Sequence, residues 1–290
     1  MTAPPLDHID AVSGVSDPVV LVRNLTLRFG GVTSLADVSL AVQRGEILAV
    51  IGPNGAGKTS LFNCLTGVYV GEEGSIEFLP RPGQSVRLAG RKPHRITQLG
   101  LARTFQNIRL FNALTALENV KIGVESRQLT GPIGAMLRLP RTRREDRESD
   151  ARALQLLDFV GLRPQANRLA AGMSYGEQRR LEIARALATA PKLLLLDEPA
   201  AGTNPAEKVD LERLIRRINE EMGLSVLLIE HDMRLVMSVA ARVAVLNFGR
   251  LIAAGTPAEV QRNPAVIEAY LGTAADDAND SERGSDAAPR

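Results

Sequence analysis

The sequence predicts an α/β protein built on a largely parallel sheet, and three apolar runs carry that prediction. "EILAVIG" (Glu46–Gly52), "KLLLLDE" (Lys192–Glu198) and "SVLLIE" (Ser225–Glu230) are continuous rather than alternating. Continuous runs of this length suit strands covered on both faces. A helical pattern follows each, over Lys58–Thr66, Pro205–Met222 and Met233–Ala241. Strand–helix alternation of this kind points to an α/β core.

The remaining elements follow in chain order. Residues 1–18 contain Pro and Asp without periodicity and are expected to be flexible. "PVVLVRNLTLRF" and "VSLAVQ" alternate as half-exposed strands do. Residues 71–95 contain strand-like pieces with added Pro and Gly, the composition of a hairpin with a lengthened loop. From about Ile108 to Ala190 no strand is predicted. "TALENVKIGVES" and "RREDRESDARALQLLDFVGL" both have helical periodicity, so this stretch reads as a helical insertion within the core. "RVAVLNFGRLIAAG" predicts a hairpin turning near Phe248–Gly249. Past Gly272 (residues 273–290) the chain is small, polar and acidic, the composition of a disordered tail. No repeat of solenoid period is present.

Composition narrows the function classes. The chain has 290 residues, and 35 Lys and Arg stand against 33 Asp and Glu. A near-balanced charge provides no global field to recruit nucleic acid. The basic run Arg138–Glu148 is interleaved with Glu145, Asp146 and Glu148 and lacks aromatic residues, so it reads as a solvated helical face. Cys64 is the single cysteine; a lone thiol excludes an internal disulfide and suits a reducing compartment. The first residues lack the basic and apolar regions of a signal peptide. No apolar run reaches the ~18 residues of a membrane span. A cytoplasmic protein is expected, with any membrane role exerted through a partner.

The chemistry begins at Gly52–Ser60, "GPNGAGKTS", which fits G-x-x-x-x-G-K-[ST] throughout. In this pattern Gly52, Gly55 and Gly57 let the backbone curl, so that the N–H groups of Asn54–Ser60, beyond Pro53, which has none, can point at phosphate oxygens. Asn54 and Ala56 complete the loop. Lys58 brings a mobile cation to the β- and γ-phosphates, and Thr59 offers Mg²⁺ a hydroxyl. "LLLLDEP" then ends an apolar strand in Asp197 and Glu198. At the sheet's C-terminal edge, Asp197 would hold Mg²⁺ and Glu198 would act as general base toward water. His231, at the end of "LLIEHDM", falls at a third parallel-strand terminus, where a neutral imidazole can contact the γ-phosphate and orient water. Gln106, in "RTFQNIRLF", can ligate Mg²⁺ or water and sense the γ-phosphate. A second anion-binding pattern lies in "GMSYGEQRRLEIARAL" (Gly172–Leu187), where Ser174 and Gly176 open a basic amphipathic helix.

Taken together and in this order, these motifs resemble the ATP-binding cassette ATPases over about Val19 to Gly272. The resemblance implies a RecA-like P-loop core, an antiparallel β subdomain and an inserted helical subdomain at about 108–190. It also implies that two cassettes pack head to tail, so that Ser174, Gly176 and Glu177 face outward to the nucleotide of a partner. Met173-Ser174-Tyr175-Gly176-Glu177 stands where the family has Leu-Ser-Gly-Gly-Gln, with the serine and the second glycine kept. By family position Phe29 would stack on adenine, and Asn204 would contact the trans site where an aspartate is common.

A narrower resemblance is carried by "RFGGVTSLADVSL", "YGEQRRLEIARAL", "DEPAAGTNP", "IEHDMRLVM" and "NPAVIEAYLG". These pieces are similar to the ATP-binding subunits of branched-chain amino-acid importers. That implies ATP and Mg²⁺ as cofactors, a second and paralogous ATPase subunit, two membrane permeases and, indirectly, a substrate-binding protein. The implied location is peripheral, on the cytoplasmic face of the inner membrane, with no nucleic-acid partner. The permease contact is implied around Gln106–Val120. Urea or amide import, lipopolysaccharide export and a soluble repair or translation ATPase are the competing readings. One cassette without a sustained heptad run argues against the last.

Overall fold

The computed structural model describes residues 11, 12, 14–126 and 140–270, with side chains left out for 140–145. The acidic tail, residues 1–10 and the start of the basic run therefore lie outside the described residues. Two sheets are formed. The smaller has the order β2-β1-β4-β5 and is antiparallel, from β1 (Pro18–Phe29), β2 (Val32–Gln43), β4 (Glu73–Arg81) and β5 (Gln84–Arg87). The larger has the order β10-β9-β3-β8-β7-β6. It contains β3 (Ile47–Ile51), β6 (Leu101–Arg103), β7 (Leu193–Asp197), β8 (Ser225–Ile229), β9 (Arg242–Asn247) and β10 (Arg250–Gly255). All its pairings are parallel except β9 with β10.

The continuous apolar runs are explained by what covers each face. In β7, Leu193 and Leu195 join a core shared with β1, β2 and α1 (Lys58–Leu65), which includes Val20, Leu40 and Phe62. The intervening Leu194 and Leu196 join a second core with the helices. Successive strand side chains point to opposite faces, so a strand between two cores has no polar face to offer.

The described part of 108–190 contains helices and loops, with no strand apart from an isolated bridge between Thr115 and Leu169. It contains α3 (Ala116–Glu125), α4 (Pro140–Phe159) and α5 (Tyr175–Ala188), and α3 packs on both α4 and α5. The chain returns to the sheet through β7 and then α6 (Pro205–Met222), β8 and α7 (Met233–Val239). The β9–β10 turn falls at Phe248 and Gly249, both at positive φ (44° and 75°). Two such residues make the turn that matches strand twist.

Three features differ from the sequence reading. α2 (Pro93–Leu99) and the three-residue β6 were not predicted, because neither is long enough to show a period. α8 (Pro257–Gln261) and a helix at 264–270 follow β10. Order also begins ahead of Val19. Ala11 is buried and its carbonyl accepts from Arg242 Nη2 at 2.8 Å, while Asp17 pairs with Arg44 at 3.0 Å.

Candidate functional site

Parallel strands end on one side of the sheet, so the segments that follow β3, β6, β7 and β8 emerge along one edge. That edge, where the strand order changes direction, is where open α/β sheets bind ligands.

The loop after β3 is held by close approach. A Cβ on Gly52 would lie 2.0 Å from the Leu246 carbonyl oxygen, and one on Gly57 would lie 2.6 Å from that of Ser34. Gly57 is also left-handed, at φ 101°, and caps α1 with no side chain. The N–H groups of the first turn are thus left for an anion. Lys58 is buried, and its ammonium donates to the carbonyls of Gly52 (2.7 Å) and Pro53 (2.8 Å) inside the loop's own curl. Burial lowers its pKa, against the attraction of Glu198 and Asp197. Ser60 shares a 2.7 Å hydrogen bond with Ser34 of β2, which ties α1 to the smaller sheet. Thr59 is exposed at the helix start.

Asp197 ends β7 and is buried. Its Oδ2 accepts from Arg103 Nη2 at 2.7 Å. Arg103 in turn donates to Asn63 Oδ1 (2.7 Å) and sits between the rings of Phe62 and Phe105. Glu198 follows in a left-handed conformation, φ 45°, with its N–H on Ile229 O at 2.9 Å. Such a conformation costs a non-glycine residue about 1 kcal/mol or more, and here it turns the carboxylate along the edge. Glu198 Oε2 accepts from Gln106 Nε2 at 2.8 Å and lies 3.9 Å from His231 Nδ1. His231 is itself held by Glu230, whose buried carboxylate accepts from the N–H groups of Ala200 (2.7 Å), His231 (3.0 Å) and Asp232 (3.2 Å). Burial raises the pKa of Glu230, while these donors oppose the rise.

Lys58, Asp197, Glu198, Gln106 and His231 therefore belong to one cluster. Ser174, Glu177 and Asn204 do not enter it through any of these bonds. Ser174 caps α5, its Oγ accepting from Glu177 N (3.3 Å) while Glu177 Oε2 accepts from Ser174 N (2.8 Å). The backbone donor lowers the Glu177 pKa, with smaller help from Arg168. Asn204 caps α6 in the same reciprocal way with Glu207. Gly176 does not face outward as expected. It is buried, and a Cβ there would lie 2.4 Å from Glu207 Oε1. Phe29 is half-exposed at the end of β1, edge-on to Tyr69 with centroids 5.0 Å apart.

The sequence reading missed Arg103, Glu230, Ser34 and Tyr69. An arginine inside the short "GLARTF" and a glutamate ending an apolar strand were signals for the first two. Nothing local marks Ser34 or Tyr69, whose partners are distant in sequence.

The oxygen donors the sequence assigns to a cation are the Asp197 carboxylate, the Thr59 hydroxyl and the Gln106 amide oxygen. All are hard oxygens of the kind Mg²⁺ prefers. Among the described residues no group of three or more His, Cys, Asp or Glu could hold a metal by itself. By their chemistry these oxygens fit a Mg²⁺ that keeps phosphate and water among its ligands, as Mg²⁺ commonly does.

Comparison with known proteins adds to this geometry. A family model described as ABC transporter matches residues 35–201, and one described as branched-chain amino acid ATP-binding cassette transporter matches 250–276. The chain is 45% identical over 260 residues to the high-affinity branched-chain amino acid transport ATP-binding protein LivG of Salmonella typhimurium, covering 90% of this chain and 100% of that protein. BraF of Pseudomonas aeruginosa, of the same description, gives the same identity and coverage. Among solved structures, an ATP-binding cassette of an ABC transporter in its ADP conformation aligns with a TM-score of 0.75 at 28% identity, covering 89% of this chain and 100% of that one. A nucleotide-free cassette aligns at 0.74 with 30% identity, covering 87% and 98%.

Proposed function

The chain belongs to the ABC transporter family, and from that premise we propose that it is the ATP-hydrolysing subunit of an importer of branched-chain amino acids. The observation that carries the chemistry is the cluster at the sheet edge: Lys58 in its loop, Asp197 paired with Arg103, and Glu198 between Gln106 and His231. The substrate class rests on similarity along the full length of LivG and BraF.

On this reading Phe29 stacks on adenine, and the loop Gly52–Ser60 encloses the phosphates. Lys58 exchanges its loop carbonyls for β- and γ-phosphate oxygens. Thr59, Asp197 and Gln106 would hold Mg²⁺, which would neutralise phosphate charge when bound. Glu198 takes a proton from the attacking water as the bond between the γ-phosphorus and the β,γ-bridging oxygen breaks, and ADP and phosphate leave. His231 orients the water and the γ-phosphate. Ser174, Glu177 and Asn204 face the nucleotide of a second, paralogous ATPase subunit, so turnover depends on pairing. The pair sits beneath two permeases on the cytoplasmic face of the membrane, fed by a substrate-binding protein. No described helix is long and apolar enough to cross a membrane, which fits peripheral attachment.

The test is ATPase activity of the chain reconstituted with its mate, permeases and binding protein. Leucine, isoleucine or valine should stimulate it, whereas urea should not. In Glu198→Gln, turnover should fall by about 100-fold or more, the scale of a lost general base, with ATP binding retained. Stimulation by urea alone would replace the substrate assignment, and parental turnover in Glu198→Gln would remove the general base.

A further inference from the structure

Arg179 and Glu182 of α5 take hold of the chain that carries Gln106. Up to Thr104 this chain belongs to the sheet. β6 pairs with β7 as far as Arg103 opposite Leu195, and Thr104 N–H donates to Leu195 O at 2.9 Å. At Phe105, Gln106 and Arg109 the backbone instead finds its partners on α5. Arg179 Nη1 donates to Phe105 O (2.7 Å) and Nη2 to Gln106 O (2.8 Å). Glu182 Oε1 accepts from the N–H groups of Phe105 (3.4 Å) and Arg109 (3.3 Å). Arg179 and Glu182 are bonded to each other at 3.1 Å, and each side chain is 2% exposed.

A guanidinium is a planar fork with its donors in fixed directions. Held on two successive carbonyls, it sets the orientation of the Gln106 peptide as well as its position. Tyr175 lies one turn earlier on the same helix face. Its hydroxyl accepts from Arg179 Nη2 at 2.9 Å. Its ring lies over Gly202, where an added Cβ would be 3.3 Å from the nearest ring carbon. The first turn of α5 thus grips the Gln106 peptide on one side and the turn after Glu198 on the other.

We propose that Arg179, braced by Tyr175, is a positioning residue that makes the Gln106 peptide part of the α5 body, with the seam to the sheet at the Thr104–Phe105 peptide. The 2.8 Å bond from Gln106 to Glu198 then links the helical region to the general base across that seam. This rests on the reading that Gln106 and Glu198 act on nucleotide. Neither Arg179 nor Tyr175 contacts ATP on this view, so the effect of their loss on turnover is expected through the Gln106 peptide.

The experiment measures kcat and KM for ATP in the reconstituted transporter, with ATP affinity and thermal unfolding of the isolated chain alongside. In Arg179→Gln, kcat should fall by about tenfold or more, the scale on which outer partners of a site act. ATP affinity of the isolated chain should stay within about twofold, well inside that scale. Gln106→Ala should also lower kcat, and Arg179→Gln should cause no further loss in that background. Such non-additivity marks residues acting as one unit, and general loosening does not produce it. Tyr175→Phe keeps the ring on Gly202 and removes only the hydroxyl. It should lose a smaller factor, which should likewise vanish beside Gln106→Ala. If Arg179→Gln does not fold, the Tyr175→Phe cycle decides the question. Parental kcat in the folded variants, or losses that multiply with Gln106→Ala, would overturn the proposal while leaving the site intact. Parental kcat in Gln106→Ala would overturn the site reading and the proposal together.

Discussion

The starts of α1 and α5, the two that the proposed function turns toward phosphate, are finished in opposite ways. α1 is capped by Gly57, which has no side chain to give, and close approach of Ser34 O prevents any other residue from standing there. α5 is capped by Ser174 in a closed reciprocal box with Glu177. A helix start has four N–H groups without intrahelical partners. At α1 these are left for a ligand, so the loop is complete only when an anion fills it. At α5 two of them, the N–H groups of Ser174 and Glu177, are already taken by the cap's own chain. A phosphate that takes the Ser174 hydroxyl or the Glu177 N–H must then share or exchange a bond that already exists. The first end suits tight binding, and the second suits a contact that forms and breaks in each cycle.

The largest test of this contrast is Lys58→Ala. It removes the cation from the open end, and ATP affinity of the isolated chain should fall by roughly 30-fold or more, as when one partner of a buried charged pair is lost. Fluorescent-nucleotide titration measures it, and unchanged affinity would mean that the α1 end is not the cis site. Next in size is Ser174→Arg at the closed end. Isolated ATP binding should be unchanged, while turnover of the assembled transporter should fall by at least about tenfold, equivalent to ~1.4 kcal/mol. Loss of binding in the isolated chain would place Ser174 in the cis site and erase the distinction.

The smallest effect is on stability. The Ser174 N–H holds the Glu177 carboxyl below its ordinary 4.5, with lesser help from the Ser174 hydroxyl and Arg168. A depressed carboxyl contributes stability that is fully present above pH 4.5 and is lost as pH falls through the lower folded value. Glu177→Gln should therefore be less stable than the parent at neutral pH by about 0.3–1 kcal/mol, the usual worth of a charge at a helix start. The gap should close below pH 4.5 in chemical unfolding curves of the isolated chain. A gap independent of pH would show that the carboxylate's charge is irrelevant to the cap.

Much of this site was legible before any coordinates. The phosphate loop could be read because spacing along one segment is sufficient for its chemistry. Asp197, Glu198 and His231 could be read because a strand's end is visible where an apolar run stops. The Phe248–Gly249 turn was legible for the same local reason. Arg103 was not, because its partners Asn63 and Asp197 are far along the chain and only strand order brings them together. Gly176 was read as facing a ligand when its small size is explained by Glu207 of another helix.

By itself, then, the sequence determined the parallel core, the composition of the phosphate loop and which side chains stand at the strand ends. Periodicity and local spacing specify these, since neighbours along the chain remain neighbours in space. Only the tertiary structure decided that Asp197 is bound by Arg103, that Gly57 leaves α1 open while Glu177 closes α5, and that Gln106 is held by Arg179. Each of these depends on which distant segments pack together. Burial then makes the pairing strict, because an unpartnered charge or N–H in the interior is costly.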